Sequence, residues 1–160
     1  MRITLLIVFV LTHPVIHADS LTGLVVGITD GDTITLLDDT KTQHKIRLAG
    51  IDAPERKQAY GTKSKQHLAG IVAEQVVDIK YSKRDRYGRI IGKIILNDED
   101  INLLQVSSGF AWHYKKYQKE QLQSDQILYA DAEDEARDAK RGLWQDLNPI
   151  PPWDFRHNKR

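Results

Sequence analysis

Residues 21–37 read LTGLVVGITDGDTITLL. Two runs rich in Val, Ile, Leu and Thr flank Asp30-Gly31-Asp32, a turn signal. The stretch therefore predicts two short strands, over 21–28 and 33–37, joined tightly. Asp38-Asp39 ends the second run, and 41–50 predicts a third strand. The pattern returns at 76–81, where Val77, Ile79 and Tyr81 share one face and Asp78 and Lys80 the other, and again over 87–96, which Asn97-Asp98 closes. Helical signals fill the rest. Over 61–73, Leu68, Ile71 and Val72 fall on one side, and 101–108 ends at Gly109. A long helix is predicted over 120–141, with Leu122, Leu128, Ala132, Ala136 and Ala139 as its buried stripe, the acidic cluster 131–135 as a solvated face and Gly142 as its stop. Five strands ahead of most of the helix predict an α+β fold, a small barrel with about three helices packed on it.

A chain of 160 residues suits one domain with a core of useful depth. Arg2, the apolar run over 3–11, Pro14 and Ala18 come in the order of a secretory signal. Residues 1–18 are thus expected to be a signal peptide and 19–160 the mature domain, in the periplasm or secreted, without stable membrane association. There is no cysteine, so neither a disulfide nor a thiolate metal site is open to the chain. Loss of Arg2 would reduce the 23 basic residues to 22 against 22 acidic ones. A neutral protein has no global field with which to hold a polyanion, so any phosphate ligand needs a local patch. The tail over 156–160 is basic and is expected to fray.

The third strand runs into Arg47-Leu48-Ala49-Gly50-Ile51-Asp52-Ala53-Pro54-Glu55. Asp32, Asp52 and Glu55 supply oxygen donors of the kind that suits a hard cation such as Ca²⁺ or Mg²⁺. Outside the expected signal segment, where His13 and His17 have that spacing, no histidines make an H-x₃-H pair. Arg47 lies in an apolar strand, and Arg89 follows Asp85-Arg86-Tyr87-Gly88. A guanidinium fork matches two phosphate oxygens. Singly, each acid reads as a turn residue and each arginine as a salt bridge bracing the barrel. Jointly, they describe metal-assisted hydrolysis of a phosphodiester. Two aspartates hold the cation, two guanidinium groups stabilise the charge of the five-coordinate state, and a free carboxylate serves as base.

Asp30-Gly31-Asp32-Thr33, the stretch 47–55 and Asp85-Arg86-Tyr87-Gly88-Arg89 resemble, in order and spacing, the signature segments of the staphylococcal nuclease (thermonuclease) family. Asn102, Gly109-Phe110-Ala111, Gly142-Leu143-Trp144 and Pro151-Pro152-Trp153 fit the same resemblance, which spans 21–153. It implies a five-stranded OB-fold barrel and Ca²⁺ held by Asp32, Asp52 and the backbone carbonyl of Ala53. It implies Arg47, Glu55 and Arg89 as catalytic residues and hydrolysis of DNA and RNA to 3′-phosphates. Arg86 would lie beside the phosphate, Tyr87 would stack on a base, and Tyr114 or Tyr117, with Tyr117 preferred, would supply the second stacking ring. A monomer is expected. The competing class is a non-catalytic OB-fold that binds single-stranded nucleic acid; retention of all five charged residues favours the enzyme.

Overall fold

The computed structural model describes residues 19–157, so the expected signal segment lies outside the described residues. In chain order the elements are β1 (Asp19–Asp30), β2 (Thr33–Leu37), β3 (Gln43–Leu48), β4 (Ile51–Asp52), α1 (Gly61–Val72), β5 (Val76–Arg84), β6 (Ile90–Leu96), β7 (Glu99–Asp100), α2 (Ile101–Ser107), β8 (Trp112–His113), α3 (Gln123–Asp138) and α4 (Pro152–His157). Short 3₁₀ turns cover Lys115–Glu120 and Gly142–Gln145.

Strands pair antiparallel in the order β3-β2-β1-β5-β6, and a parallel pairing of β3 with β6, Ile46 opposite Ile90, closes the ring. The result is a closed five-stranded mixed barrel of OB type. Alternation along each strand sends Ile34, Leu36, Ile46, Leu48, Val77, Ile79, Ile90 and Ile94 inward, all buried. Leu68 and Val72 of α1 and Ile101 and Val106 of α2 complete the same core. Each such side chain contributes about 1.5–3 kcal/mol by leaving water. Among the described residues no helix is long and apolar enough to cross a membrane.

Two polar contacts fix the parts that carry the site. Buried Asn102 donates from Nδ2 to the carbonyls of Ala49 (3.0 Å) and Gly92 (3.1 Å), and its Oδ1 accepts the N–H of Ile94 at 3.1 Å. It ties α2 to the end of β3 and the middle of β6. The Asp30–Asp32 turn is wedged between α1 and α2. Gln105 Nε2 donates to the Gly31 carbonyl at 2.7 Å, and a Cβ at Gly31 would fall 1.8 Å from Ser64 Oγ. Only glycine lets the turn lie that close.

The strands match the sequence expectation closely, but several features differ. β6 starts at Ile90, not at residue 87, because Asp85 Oδ1 accepts the N–H groups of Tyr87 (2.9 Å) and Arg89 (3.0 Å) and holds 85–89 as a turn. Among the described residues α4 joins the three expected helices. The expected long helix is shorter, because 115–120 forms a separate 3₁₀ turn. It is also rotated by about one residue. Leu122 and Leu128 are exposed, whereas Ala136 is buried as expected and Tyr129 and Glu133 are buried with it. The phenol explains the rotation: its hydroxyl donates to Asp100 at 3.0 Å, which permits full burial of the large ring. Nor is the whole acidic cluster solvated. Glu133 Oε1 accepts the N–H of His113 at 3.0 Å, and Oε2 pairs with Lys115 Nζ at 2.7 Å.

Candidate active site

A cleft of about 900 Å³ opens at the end of the barrel where β3 and β4, the Asp30–Asp32 turn and the β5–β6 hairpin meet. All nine residues singled out above line it: Asp32, Arg47, Asp52, Ala53, Glu55, Arg86, Tyr87, Arg89 and Tyr117. The closed barrel brings them together, since its β3–β6 seam sets the strand of Arg47 beside the strand that follows Arg89.

The inner wall is buried. Arg47 donates from Nη1 to the carbonyls of Leu48 and Ile51, both at 2.9 Å. Its Nη2 reaches Asp52 Oδ1 at 2.9 Å and Asp32 Oδ2 at 3.2 Å. One nitrogen thus touches both carboxylates, so Asp32 and Asp52 converge on a common point. Gly50, at φ +75°, bends the chain so that Arg47 can reach the carbonyl of Ile51. The backbone N–H of Ala53 donates to Asp32 Oδ2 at 2.7 Å, and Thr33 Oγ1 donates to Oδ1 at 3.0 Å. Burial pushes the Asp52 carboxyl above its ordinary value, against the hydrogen bond from Arg156 and the charge of Arg47. Burial and the adjoining Asp32 carboxylate push Asp30 up to about 6.

The outer wall is more exposed. Arg89 Nε donates to Asp85 Oδ2 at 2.8 Å, and among the described residues no acceptor engages its Nη groups. Although burial opposes it, the hydrogen bonds from Arg89 and from the N–H of Tyr87 hold Asp85 below the usual carboxylate range. Tyr87 is 69 % exposed, with the guanidinium groups of Arg86 and Arg89 at 4.8 and 5.7 Å from its ring centre. On the third side, Tyr114 stacks parallel to Trp153 at 5.3 Å and meets Tyr117 edge-on at 5.0 Å. Tyr117 keeps the more open ring of the two, at 44 % exposure.

The donor set fits a hard cation. It is all oxygen, two of its carboxylates are buried, and they already share a positive nitrogen. No group of three or more His, Asp or Glu side chains among the described residues is placed to hold a metal ion unaided. Backbone carbonyls and water would have to complete a shell of about 6–8 oxygens.

Two residues of the site escaped the sequence reading. Asp30 was legible, since it belongs to the same turn as Asp32. Arg156 was not: the tail was expected to fray, yet Arg156 lies in α4 and is ion-paired to Asp52 and Glu55. Nothing local in a basic C-terminal segment reports which acid it meets across 104 residues of chain.

Fold and cleft together define a small closed-barrel protein with a mixed carboxylate and guanidinium site. Residues 45–146 match the family described as Staphylococcal nuclease homologue. An Escherichia coli protein called an uncharacterized endonuclease is 43 % identical over 155 residues, covering 96 % of each chain. A Shigella flexneri micrococcal nuclease is 39 % identical over 143 residues, covering 84 % of this chain and 79 % of its own. Staphylococcal-like nuclease CAN1 of Arabidopsis thaliana is 38 % identical over 116 residues, covering 72 % of this chain and 34 % of its own. The chain belongs to the staphylococcal nuclease family, and it is a hydrolase, an endonuclease.

Proposed function

We propose that this nuclease is an exported, Ca²⁺-dependent phosphodiesterase that cleaves DNA and RNA by attack of water and leaves 3′-phosphates. The observation that carries this reading is the single Arg47 nitrogen held between the buried Asp32 and Asp52, across the cleft from Arg89 with its uncommitted fork. Asp32, Asp52 and the Ala53 carbonyl would hold the ion. When bound, Ca²⁺ would supply Lewis-acid polarisation of a phosphate oxygen. Arg89 presents its Nη pair to phosphate oxygens and stabilises the charge that develops there. Arg47 braces the two aspartates and adds positive charge at the cleft floor. Glu55, at the mouth, accepts a proton from the attacking water or orients it. Tyr87 and Tyr117 offer ring faces to bases, and Arg86 meets the backbone. Stacking on ring faces discriminates little among bases, which suits a substrate range including both nucleic acids.

Export is supported by the signal-like order of residues 1–18. The chain is expected to act as a monomer. With few ligand charges the site should bind Ca²⁺ weakly, in the ~10⁻⁴–10⁻³ M range of extracellular modules.

The test is incubation of the mature protein with supercoiled plasmid and with single-stranded RNA, in Ca²⁺ and in chelator, with end-group analysis of the products. Cleavage of both polymers in Ca²⁺ alone, with 3′-phosphate ends, is the expected result. Full cleavage in chelator, or 5′-phosphate ends, would overturn it.

A further inference from the structure

Helix α4 is fastened by contacts that do not involve the active-site acids. Pro152 is buried, and Trp153 lies against Trp112 at 5.6 Å and Tyr114 at 5.3 Å. Gln58 Nε2 donates to the carbonyl of Ile150, just ahead of the helix. These anchors deliver Arg156 to the cleft. Its Nη2 donates to Asp52 Oδ2 at 2.7 Å, and its Nη1 reaches Asp52 Oδ1 at 3.3 Å and Glu55 Oε1 at 2.8 Å. Arg47 approaches Asp52 Oδ1 from the other side at 2.9 Å. Both oxygens of an almost fully buried carboxylate therefore face guanidinium groups.

The two arginines differ in how far they are committed. Arg47 is 14 % exposed and its Nη1 bonds two backbone carbonyls, so it cannot leave without breaking contacts of the β3–β4 turn. The Arg156 side chain is 42 % exposed, is held in the cleft by Asp52 and Glu55, and stands on the edge of α4.

We infer that Arg156 is a displaceable internal counter-cation. Its guanidinium and a divalent cation exclude one another at Asp52, so metal binds by exchange for Arg156. The inference rests on the reading that Asp32 and Asp52 hold the ion. Three consequences follow from the geometry. Arg156 offsets the repulsion among Asp32, Asp52 and Glu55 whenever no metal is bound. Metal affinity is lowered by the fraction of time that Asp52 is occupied by the side chain. Displacement of Arg156 also releases Glu55, so binding of the ion and freeing of the mouth carboxylate become one event.

The test compares the full mature chain with Arg156→Ala and with Arg156→Met, which keeps an apolar stem. Tb³⁺ binding is read by luminescence excited through the neighbouring tryptophans, Ca²⁺ by competition, and thermal unfolding is recorded with and without Ca²⁺. Both variants should bind the ions about tenfold more tightly than the wild type. Both should melt lower without metal and gain more from Ca²⁺. Unchanged or weaker binding by folded variants would overturn the exchange while leaving the metal site intact. Absence of binding in all three proteins, or binding that survives Asp52→Asn, would overturn the metal site itself and the exchange with it.

Discussion

The two walls of the cleft carry the same kinds of charge in opposite states. On the inner wall, Arg47 is almost enclosed and its four polar contacts go to two backbone carbonyls and two buried aspartates. On the outer wall, Arg89, which lines the cleft, makes one side-chain ion pair among the described residues, from Nε. A guanidinium that has met its partners braces a structure; one that has not can bind a phosphate. Two arginines that look alike in sequence thus differ in how far the fold commits their donors, by the acceptors it places around them.

The strongest way to break this comparison is Arg47→Ala. It leaves Asp32 without its cation and Asp52 with Arg156 alone. A loss of about 3–5 kcal/mol in unfolding free energy is expected in denaturant titrations. A loss below about 1 kcal/mol would place Arg47 with Arg89 as a substrate group and dissolve the contrast. Arg89→Lys should act the other way. Stability should stay within about 1 kcal/mol, because its pair with Asp85 is partly exposed. Plasmid cleavage should fall about 10²–10³-fold, because an ammonium cannot reproduce the fork. Normal cleavage by the lysine variant would return Arg89 to a bracing role.

A smaller effect is expected behind the inner wall. Glu133 accepts the N–H of His113, whose neighbour Trp112 pairs with Asp52 across β4 and β8. Glu133→Gln should cost about 1–3 kcal/mol in unfolding free energy, with the intrinsic cleavage rate of the folded protein preserved. A large fall in that rate at full folding would make the wall's rigidity part of the chemistry. The smallest effect serves as a control at the far end of the β2–β3 hairpin. There the hydrogen bond from His44 holds Asp38 down to about 2. A carboxyl depressed in the folded state stabilises above its unfolded value of 3.8, and that stability is lost as pH falls through about 2. The melting-temperature gap between wild type and Asp38→Asn should close over that window, with no change in cleavage at neutral pH. A gap independent of pH would remove the ion pair from the account.

Much of this protein was legible before any coordinates. Five strands, the tight Asp30–Asp32 turn, the short helices after β4 and β7 and the members of the charged set all follow from local rules. Alternation has a period of two, turns need particular residues, and isolated charges in apolar strands demand partners. What failed was set by partners distant in the chain. The buried face of α3 turned on whether Tyr129 could find an acceptor, and Asp100 supplies it. Glu133 went inward because Lys115 and the His113 N–H were waiting for it.

The same division holds at the site. The sequence by itself determined which side chains could carry the proposed chemistry, because their types and order match what a phosphodiester and a hard cation would require. Only the tertiary structure decided their states. It enclosed Arg47, left the fork of Arg89 free, and carried Arg156 from the end of the chain onto Asp52 and Glu55. Whether an ionic group braces or binds depends on the partners and the water around it, and closure of the barrel and docking of α4 assign both.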